Sequence, residues 1–420
     1  MTSAYEAIII GAGPAGSSAA IVLARAGRSV ALLEARRFPR RKVCGECIAA
    51  SNLPLLDSLG VGETLRRHAG PQLREVALWC GEESIRAPLP ACTAGVVPWG
   101  RAVSREHLDT LLLEQARAAG AAVFQPCRVL TVRARAREAG YEIEAGNDGA
   151  RITLSAPVII RAHGSWEPPP AGAAPWPGER RASDLLGFKA TFRDAALKDG
   201  LLPILGFAGG YGGMVVAGGG LATLACCIRR DRLAACRRES PAGARAGESV
   251  EALLRRECRG VREALADAHG VGPWLAAGPL RPGMHLDAAQ DGAFRIGNAA
   301  GEVHPIIGEG ISMTLQSAWL LCEELVRSAE AFRPDARGER LRREIRARYA
   351  SRWRAHFSRR MRLAACFAHA AMRPHLTAPL LPLLRRAPAL LGVAARLSGK
   401  TRTAVTSSEA LPGLIQESSP

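Results

Sequence analysis

The feature that most constrains this chain lies in its first 34 residues. An apolar run, Ala7–Ile10, leads into Gly11-Ala12-Gly13-Pro14-Ala15-Gly16 and a small-residue helical pattern that ends at Gly27, a natural helix terminator. A second buried-strand pattern, 29–33, closes on Glu34. Strand, glycine turn, helix, strand and acid in this order form a dinucleotide-binding unit. Gly11 permits the tight turn, Gly13 lets backbone approach a pyrophosphate, and Gly16 lets helix and strand pack closely. The helix N-terminus then faces the negative charge. Glu34 is placed to accept hydrogen bonds from a ribose, which favours FAD or NAD over NADP.

The rest of the 420 residues must supply more than this unit, since that length accommodates two or three domains or one interleaved pair. With 48% hydrophobic and 23% charged residues, wholesale disorder, collagen and mini-protein scaffolds are excluded. The N-terminus lacks a basic run before its apolar one, so no signal peptide is expected. No run of eighteen uncharged apolar residues suggests a transmembrane helix. Eleven scattered cysteines read as reduced thiols, and the cytoplasm is the expected location.

Further along, 103–120 predicts a helix, 122–124 and 129–134 strands, and 141–145 with 151–154 a hairpin. Residues 156–160 read as another buried strand and 166–180 as a surface connector. Residues 185–192 and 213–229 read as strands of a second sheet. The spacing predicts a helix over 250–270 broken by Gly260, and a long apolar helix over 310–329.

A second fingerprint appears near residue 300. Gly297-Asn298-Ala299-Ala300-Gly301-Glu302-Val303-His304-Pro305, followed by Gly308-Glu309-Gly310-Ile311-Ser312, resembles the GDAAG…HP…GEGI segment of FAD-dependent oxidoreductases. These are the p-hydroxybenzoate-hydroxylase-like monooxygenases and the geranylgeranyl reductases. Lys42-Val43-Cys44-Gly45-Glu46-Cys47 resembles the CGE element of the reductase-like subgroup, and Gly209-Gly210-Tyr211-Gly212-Gly213-Met214-Val215 its GGYxG strand. Asn298 stands where the family usually has Asp, and an amide still hydrogen-bonds a hydroxyl.

The resemblance implies an α/β (α+β) fold: a glutathione-reductase-type Rossmann FAD domain interleaved with a mainly antiparallel β-sheet substrate domain, plus a C-terminal helical region. The expected boundaries are 1–75, 100–180 and 280–335 for FAD binding, 76–99 and 181–279 for the substrate sheet, 336–403 for the basic helical region and 404–420 for a disordered tail. Expected FAD contacts are Gly11, Gly13, Pro14, Ala15, Gly16, Glu34, Ala35, Cys44, Gly45, Arg105, Val129, Gly297, Asn298, Gly308, Gly310 and Ile311. The helix after Gly308 would point its N-terminus at the flavin, where a reduced anion gains from the dipole. Tyr211 and Met214 are the expected substrate contacts.

The candidate catalytic residues are His304, Glu46 and Cys44, with His163, His285, Glu302 and Glu309 as further acids or bases. His304 has two readings, a group facing substrate or a satisfied structural histidine. Cys44 and Cys47 form CxxC, which reads as flavin-side packing, a redox dithiol or, least well, half a zinc site; no metal is expected. The implied activity is a monooxygenase that uses NAD(P)H and O2, through a flavin C4a-hydroperoxide, to hydroxylate an aromatic or polyketide substrate resembling a phenolic lipid. The alternative is a geranylgeranyl-reductase-like ene-reductase saturating prenyl chains.

Net charge is +17, and residues 351–403 carry eleven basic side chains and no acidic one. A solvated helical cap and a membrane-surface face are the two readings of that segment. Nucleic acid is not an expected partner, because aromatics make up only 5% of the chain. A monomer or homodimer is expected.

Overall fold

The computed structural model describes residues 2–92, 97–135, 139–147, 149–165, 180–286 and 291–397. The expected connector 166–180, save its last residue, and the expected tail 404–420 lie outside them.

Strand β1 (Ala7–Ile10), helix α1 (Pro14–Arg25) and strand β2 (Val30–Leu33) build the glycine-turn unit. Helix α2 (Arg105–Ala118) starts where Ser104 accepts a hydrogen bond from the His107 amide, a side-chain N-cap. Strand β3 (Val158–Arg161) pairs parallel with β1. The five-stranded sheet runs Phe294–Arg295, β3, β1, β2, Ala122–Phe124, parallel throughout.

Both faces of this sheet are covered, which explains its uninterrupted apolar strands. Ala7, Ile9, Val30 and Leu32 point to one face, into the core shared with α1 and α2. Ile8, Ile10, Ala31 and Leu33 point to the other. There they meet Ile143, Ala145 and Leu154 from a four-stranded sheet made by Thr2–Ala4, Ala150–Ala156, Tyr141–Asn147 and Arg128–Ala134. A period of two is thus read out as a three-layer stack.

The second large sheet holds β4 (Leu185–Arg193), β5 (Leu201–Phe207), β6 (Gly210–Val216) and β7 (Ala222–Arg229). Its order is His269–Gly270, β4, β7, β6, β5, Glu75–Cys80, Glu83–Pro88, with Leu275–Leu280 also on β4. All pairings are antiparallel except that of β5 with Glu75–Cys80. Its outer face buries Phe188, Phe192, Leu205 and Leu224 against Val250, Leu253 and Val261.

The helix expected over 250–270 is two, Ala246–Glu257 and Arg259–Ala264. The break falls at Cys258, which has extended backbone, and not at Gly260. Gly260 lies inside the second helix because a Cβ there would come within 2.3 Å of the Trp79 ring. The chain needs a small residue at that contact, so the glycine marks close packing.

Helix α3 (Gly310–Val326) packs on α1, and α4 (Ala336–Ala371) packs on α3. Tyr349, Trp353 and Phe357 of α4 are fully buried. Arg360 is buried beside them, donating to Gln316 and lying 3.9 Å from Glu309. The basic segment 351–403 therefore begins as core-forming helix. It ends in Pro374–Thr377, a 3-10 turn, α5 (Leu381–Arg386) and α6 (Ala389–Leu397). Among the described residues no single helix is long and apolar enough to cross a membrane.

Candidate active site

A cleft with about 1510 Å³ of empty space, counted to its open mouth, lies between the parallel sheet and the substrate sheet. Gly13, Pro14 and Ala15 enter it from the first turn, and Cys44 and Gly45 from the following loop. Asn298, Gly308, Gly310 and Ile311 enter from the second fingerprint, and Tyr211 and Met214 from β6.

The three glycines of the first turn separate by what surrounds them. A Cβ on Gly11, where φ is +101°, would sit 2.6 Å from the Ala162 carbonyl oxygen; one on Gly16 would sit 1.8 Å from that of Gly11. A Cβ on Gly13 would meet only Arg105, at 3.9 Å. The protein's own packing thus demands glycine at 11 and 16, whereas Gly13 keeps open space at a helix N-terminus. An anionic ligand that approaches the backbone fits that space, and the residues present match FAD.

Glu34 is buried and accepts from the Ala12 amide at 2.9 Å and the Arg36 amide at 2.8 Å, with Arg40 against both oxygens. It ties the glycine turn to the end of β2. Arg105 is held by Asp109 through two hydrogen bonds, of 2.7 and 2.8 Å. Burial opposes its charge, but Asp109 outweighs it and keeps the guanidinium protonated. Sequence reading found Arg105 and missed Asp109, four residues on in the same helix, although that spacing places two side chains on one face.

Glu46 lines the cleft, yet its carboxylate is spent on the protein. It accepts from Lys189 of β4, from Thr223 of β7 at 2.7 Å and from the Arg105 amide at 3.1 Å. Both ends of the Glu46–Lys189 pair are buried. Glu46 also has a positive φ of 59°, sparsely populated for a residue with a side chain. This geometry makes it a tie between the CGE loop and the substrate sheet. Lys189 was not singled out in the sequence, where its signal was a lone lysine within an apolar strand. Cys44 accepts from the Glu46 amide at 3.4 Å, and no disulfide joins Cys44 to Cys47. Among the described residues no cluster suits a metal ion.

His304 does not line the cleft; it stands behind Tyr211, with Nδ1 3.0 Å from the tyrosine oxygen. On its far side the exposed His369 of α4 lies against it, ring centroids 5.8 Å apart. Burial, helped by His369, pushes His304 down to about 4. Burial also raises Tyr211, and Cys227 beside it goes up to about 12. The pair is therefore neutral at ordinary pH. Its cost to stability has a definite sign: unfolded histidine holds its proton up to about 6.5, folded His304 only to about 4. Between those values the unfolded chain binds more protons, so stability falls as pH drops through this window. Denaturant titrations of wild type and His304→Asn across it are expected to show a shallower slope for the variant.

Glu302, at the cleft wall, accepts from the Arg281 amide at 2.9 Å and is raised by burial. Asn298 donates to Ser165 at 2.7 Å. Glu309 is fully buried under α3, near Arg360. His163 and His285 lie against backbone carbonyls, of Gly164 and Arg281. Gly11, Gly16, Glu34, Ala35, Val129 and Gly297 fall outside the cleft lining: Gly11, Gly16 and Glu34 serve the turn's own packing, Ala35 follows β2, Val129 belongs to the rear antiparallel sheet, and Gly297 donates to Ser317 of α3.

A family profile described as FAD binding domain matches residues 4–355. The menaquinone reductase of Mycolicibacterium smegmatis is 27% identical over 443 aligned positions, covering 96% of this chain and 93% of that protein. The menaquinone reductase of Mycobacterium tuberculosis is 32% identical over 127 residues, 30% of this chain and 30% of that protein; that match spans under a third of the relative's length. Among solved structures, the myxobacterial chondrochloren halogenase CndH superposes with a TM-score of 0.73 at 19% identity, covering 94% of this chain and 91% of that one. This last likeness establishes the fold.

Proposed function

Because the chain belongs to the FAD binding domain family, we propose that it is an FAD-dependent monooxygenase that hydroxylates a phenolic, lipid-like substrate. The balance is NAD(P)H, a proton, O2 and substrate in, and NAD(P)+, water and hydroxylated substrate out. FAD held at Gly13, Arg105 and the N-terminus of α3 would supply the hydride and oxygen chemistry. The protein's own residues bind, orient and handle protons.

The observation that carries this reading is the Tyr211–His304 pair, with Tyr211 in the wall of the cleft and His304 against its hydroxyl. Leu202, Ile204, Met214, Ile306 and Ile307 line the same cleft and suit an alkyl chain or ring. With its own hydrogen donated to His304 Nδ1, the Tyr211 oxygen is left to accept one from a substrate hydroxyl. A phenol placed there donates a hydrogen bond to Tyr211 as Tyr211 donates its own to His304, which, pushed down to about 4, polarises the hydroxyls without taking a proton. That polarisation makes the ring more electron-rich at the moment it must attack oxygen. Arg105, fixed by Asp109, and the N-terminus of α3 supply positive potential at the cofactor end of the cleft.

Tyr211→Phe is expected to lower kcat about 10²-fold, at the lower end of general acid–base effects, with KM little changed. The defect should shrink as pH approaches the substrate's own pKa, because a phenolate needs no polarising partner. A flat defect across pH would remove Tyr211 from activating the phenol. The reaction itself is tested with an alkylresorcinol, NAD(P)H and isotopically labelled O2. Label in the product supports the hydroxylase, and none overturns it.

A second reading, saturation of a prenyl chain, draws on the near-full-length likeness to a menaquinone reductase. Anaerobic turnover of a prenylated quinone with reduced flavin would favour it. An isolated alkene has no hydroxyl to engage Tyr211, and the hydroxylase accounts for that pair.

A further inference from the structure

Exposed apolar side chains are concentrated in one place. Of seven large hydrophobic residues exposed among the described residues, six lie between Leu376 and Leu397: Leu376, Leu380, Leu383, Leu390, Val393 and Leu397. Their spacing is helical in each arm, i, i+4, i+7 in the first three and i, i+3, i+7 in the second. Each arm therefore shows water an apolar stripe, the reverse of what a solvated surface helix does. Single exposed leucines need no explanation, but a cluster of this kind marks an interaction site.

The charge around the stripes names the occupant. Residues 373–397 contain Arg373, Arg385, Arg386 and Arg396 and no acidic residue. A second copy of the chain would set like charges against each other. An anionic lipid surface accepts the leucines among its acyl chains and the arginines among its headgroups. We propose that Pro374–Leu397 docks this protein on anionic membranes, lying in the interface.

A spanning arrangement conflicts with the geometry. The two arms are bent by 116°, and α6 rests on the strands Glu75–Cys80 and Glu83–Pro88. Arg385 pairs with Glu83 at 2.9 Å, and a Cβ on Gly392 would sit 3.0 Å from the Pro88 carbonyl oxygen. These contacts hold the helices to the edge of the substrate sheet while their stripes face out. The next strand inward from that edge pair, β5, carries Leu202 and Ile204 of the cleft. Docking would bring the lipid surface to the side of the sheet from which a lipid-like substrate would come. The surface is independent of which reaction the cleft performs.

The test is co-sedimentation of the FAD-loaded full chain with vesicles of phosphatidylcholine alone or mixed with phosphatidylglycerol. Binding to the mixed vesicles is expected, at least about tenfold tighter than to neutral ones. Arg386→Ala with Arg396→Ala should weaken it about thirtyfold, at roughly fivefold per charge. Leu380→Gln, Leu383→Gln and Leu390→Gln together should abolish it, with flavin content unchanged as the check on folding. No binding to anionic vesicles, or binding indifferent to both variants, overturns the proposal. So does a concentration-dependent dimer, seen by light scattering, that the leucine variant dissolves; the occupant would then be a second copy.

Discussion

Gly13→Val is expected to give a folded protein that has lost its flavin. The Cβ position at Gly13 meets nothing nearer than the Arg105 guanidinium at 3.9 Å, so a Cβ there adds no clash within the chain. Its methyl groups would instead occupy the space through which a pyrophosphate approaches the N-terminus of α1. Forcing extra carbons into such a contact costs about 1–3 kcal/mol, roughly a fivefold to 150-fold loss of affinity. Flavin absorbance of the purified variant and its unfolding midpoint decide the matter together. A stable, fully yellow Gly13→Val would mean that the cofactor does not pass this point. Gly11→Ala and Gly16→Ala should behave differently: each collides with backbone, so each should lose stability along with flavin.

Glu46→Gln and Lys189→Met are each expected to destabilise the fold by about 3–5 kcal/mol, because either leaves its buried partner's charge uncompensated. The double variant should recover most of that loss, since an ion pair replaced at both ends removes the unpaired charge. Urea midpoints of the four proteins measure this coupling. The same set separates two roles for Glu46. If it is a tie between the CGE loop and the sheet, turnover returns with stability in the double variant. If it is a catalytic acid, turnover stays lost when stability is restored. Single variants as stable as wild type would overturn the structural role.

The parts of this molecule that could be read in the sequence are those that use local spacing. The glycine turn with Glu34 and the fingerprint from Gly297 to Ile311 each lie within about thirty residues, and backbone geometry alone restricts what they can be. The alternation of β1 was equally legible as a buried strand, although not which layer each face meets. The site's polar contacts were not legible, because they are made across large separations. Glu46 meets Lys189 and Thr223 from two strands of another sheet. Tyr211 was expected as a substrate contact and His304 as either a group facing substrate or a satisfied structural histidine; only their pairing sets one in the wall and the other behind it. Gly260 misled for a related reason, since a glycine breaks helices locally but here answers to Trp79.

The parallel sheet of the cofactor domain takes its strands from widely separated stretches: β1 and β2, then Ala122–Phe124, β3, and finally Phe294–Arg295. During synthesis, at about 5–20 residues per second, the first turn emerges long before α3, which completes the other side of its cleft. The cradle cannot close until translation has passed Gly310. The complete cradle is therefore available to flavin only late in synthesis. The half-made sheet, with non-local pairings still open, is the species most exposed to aggregation. A chain released early should be insoluble however much FAD the cell supplies.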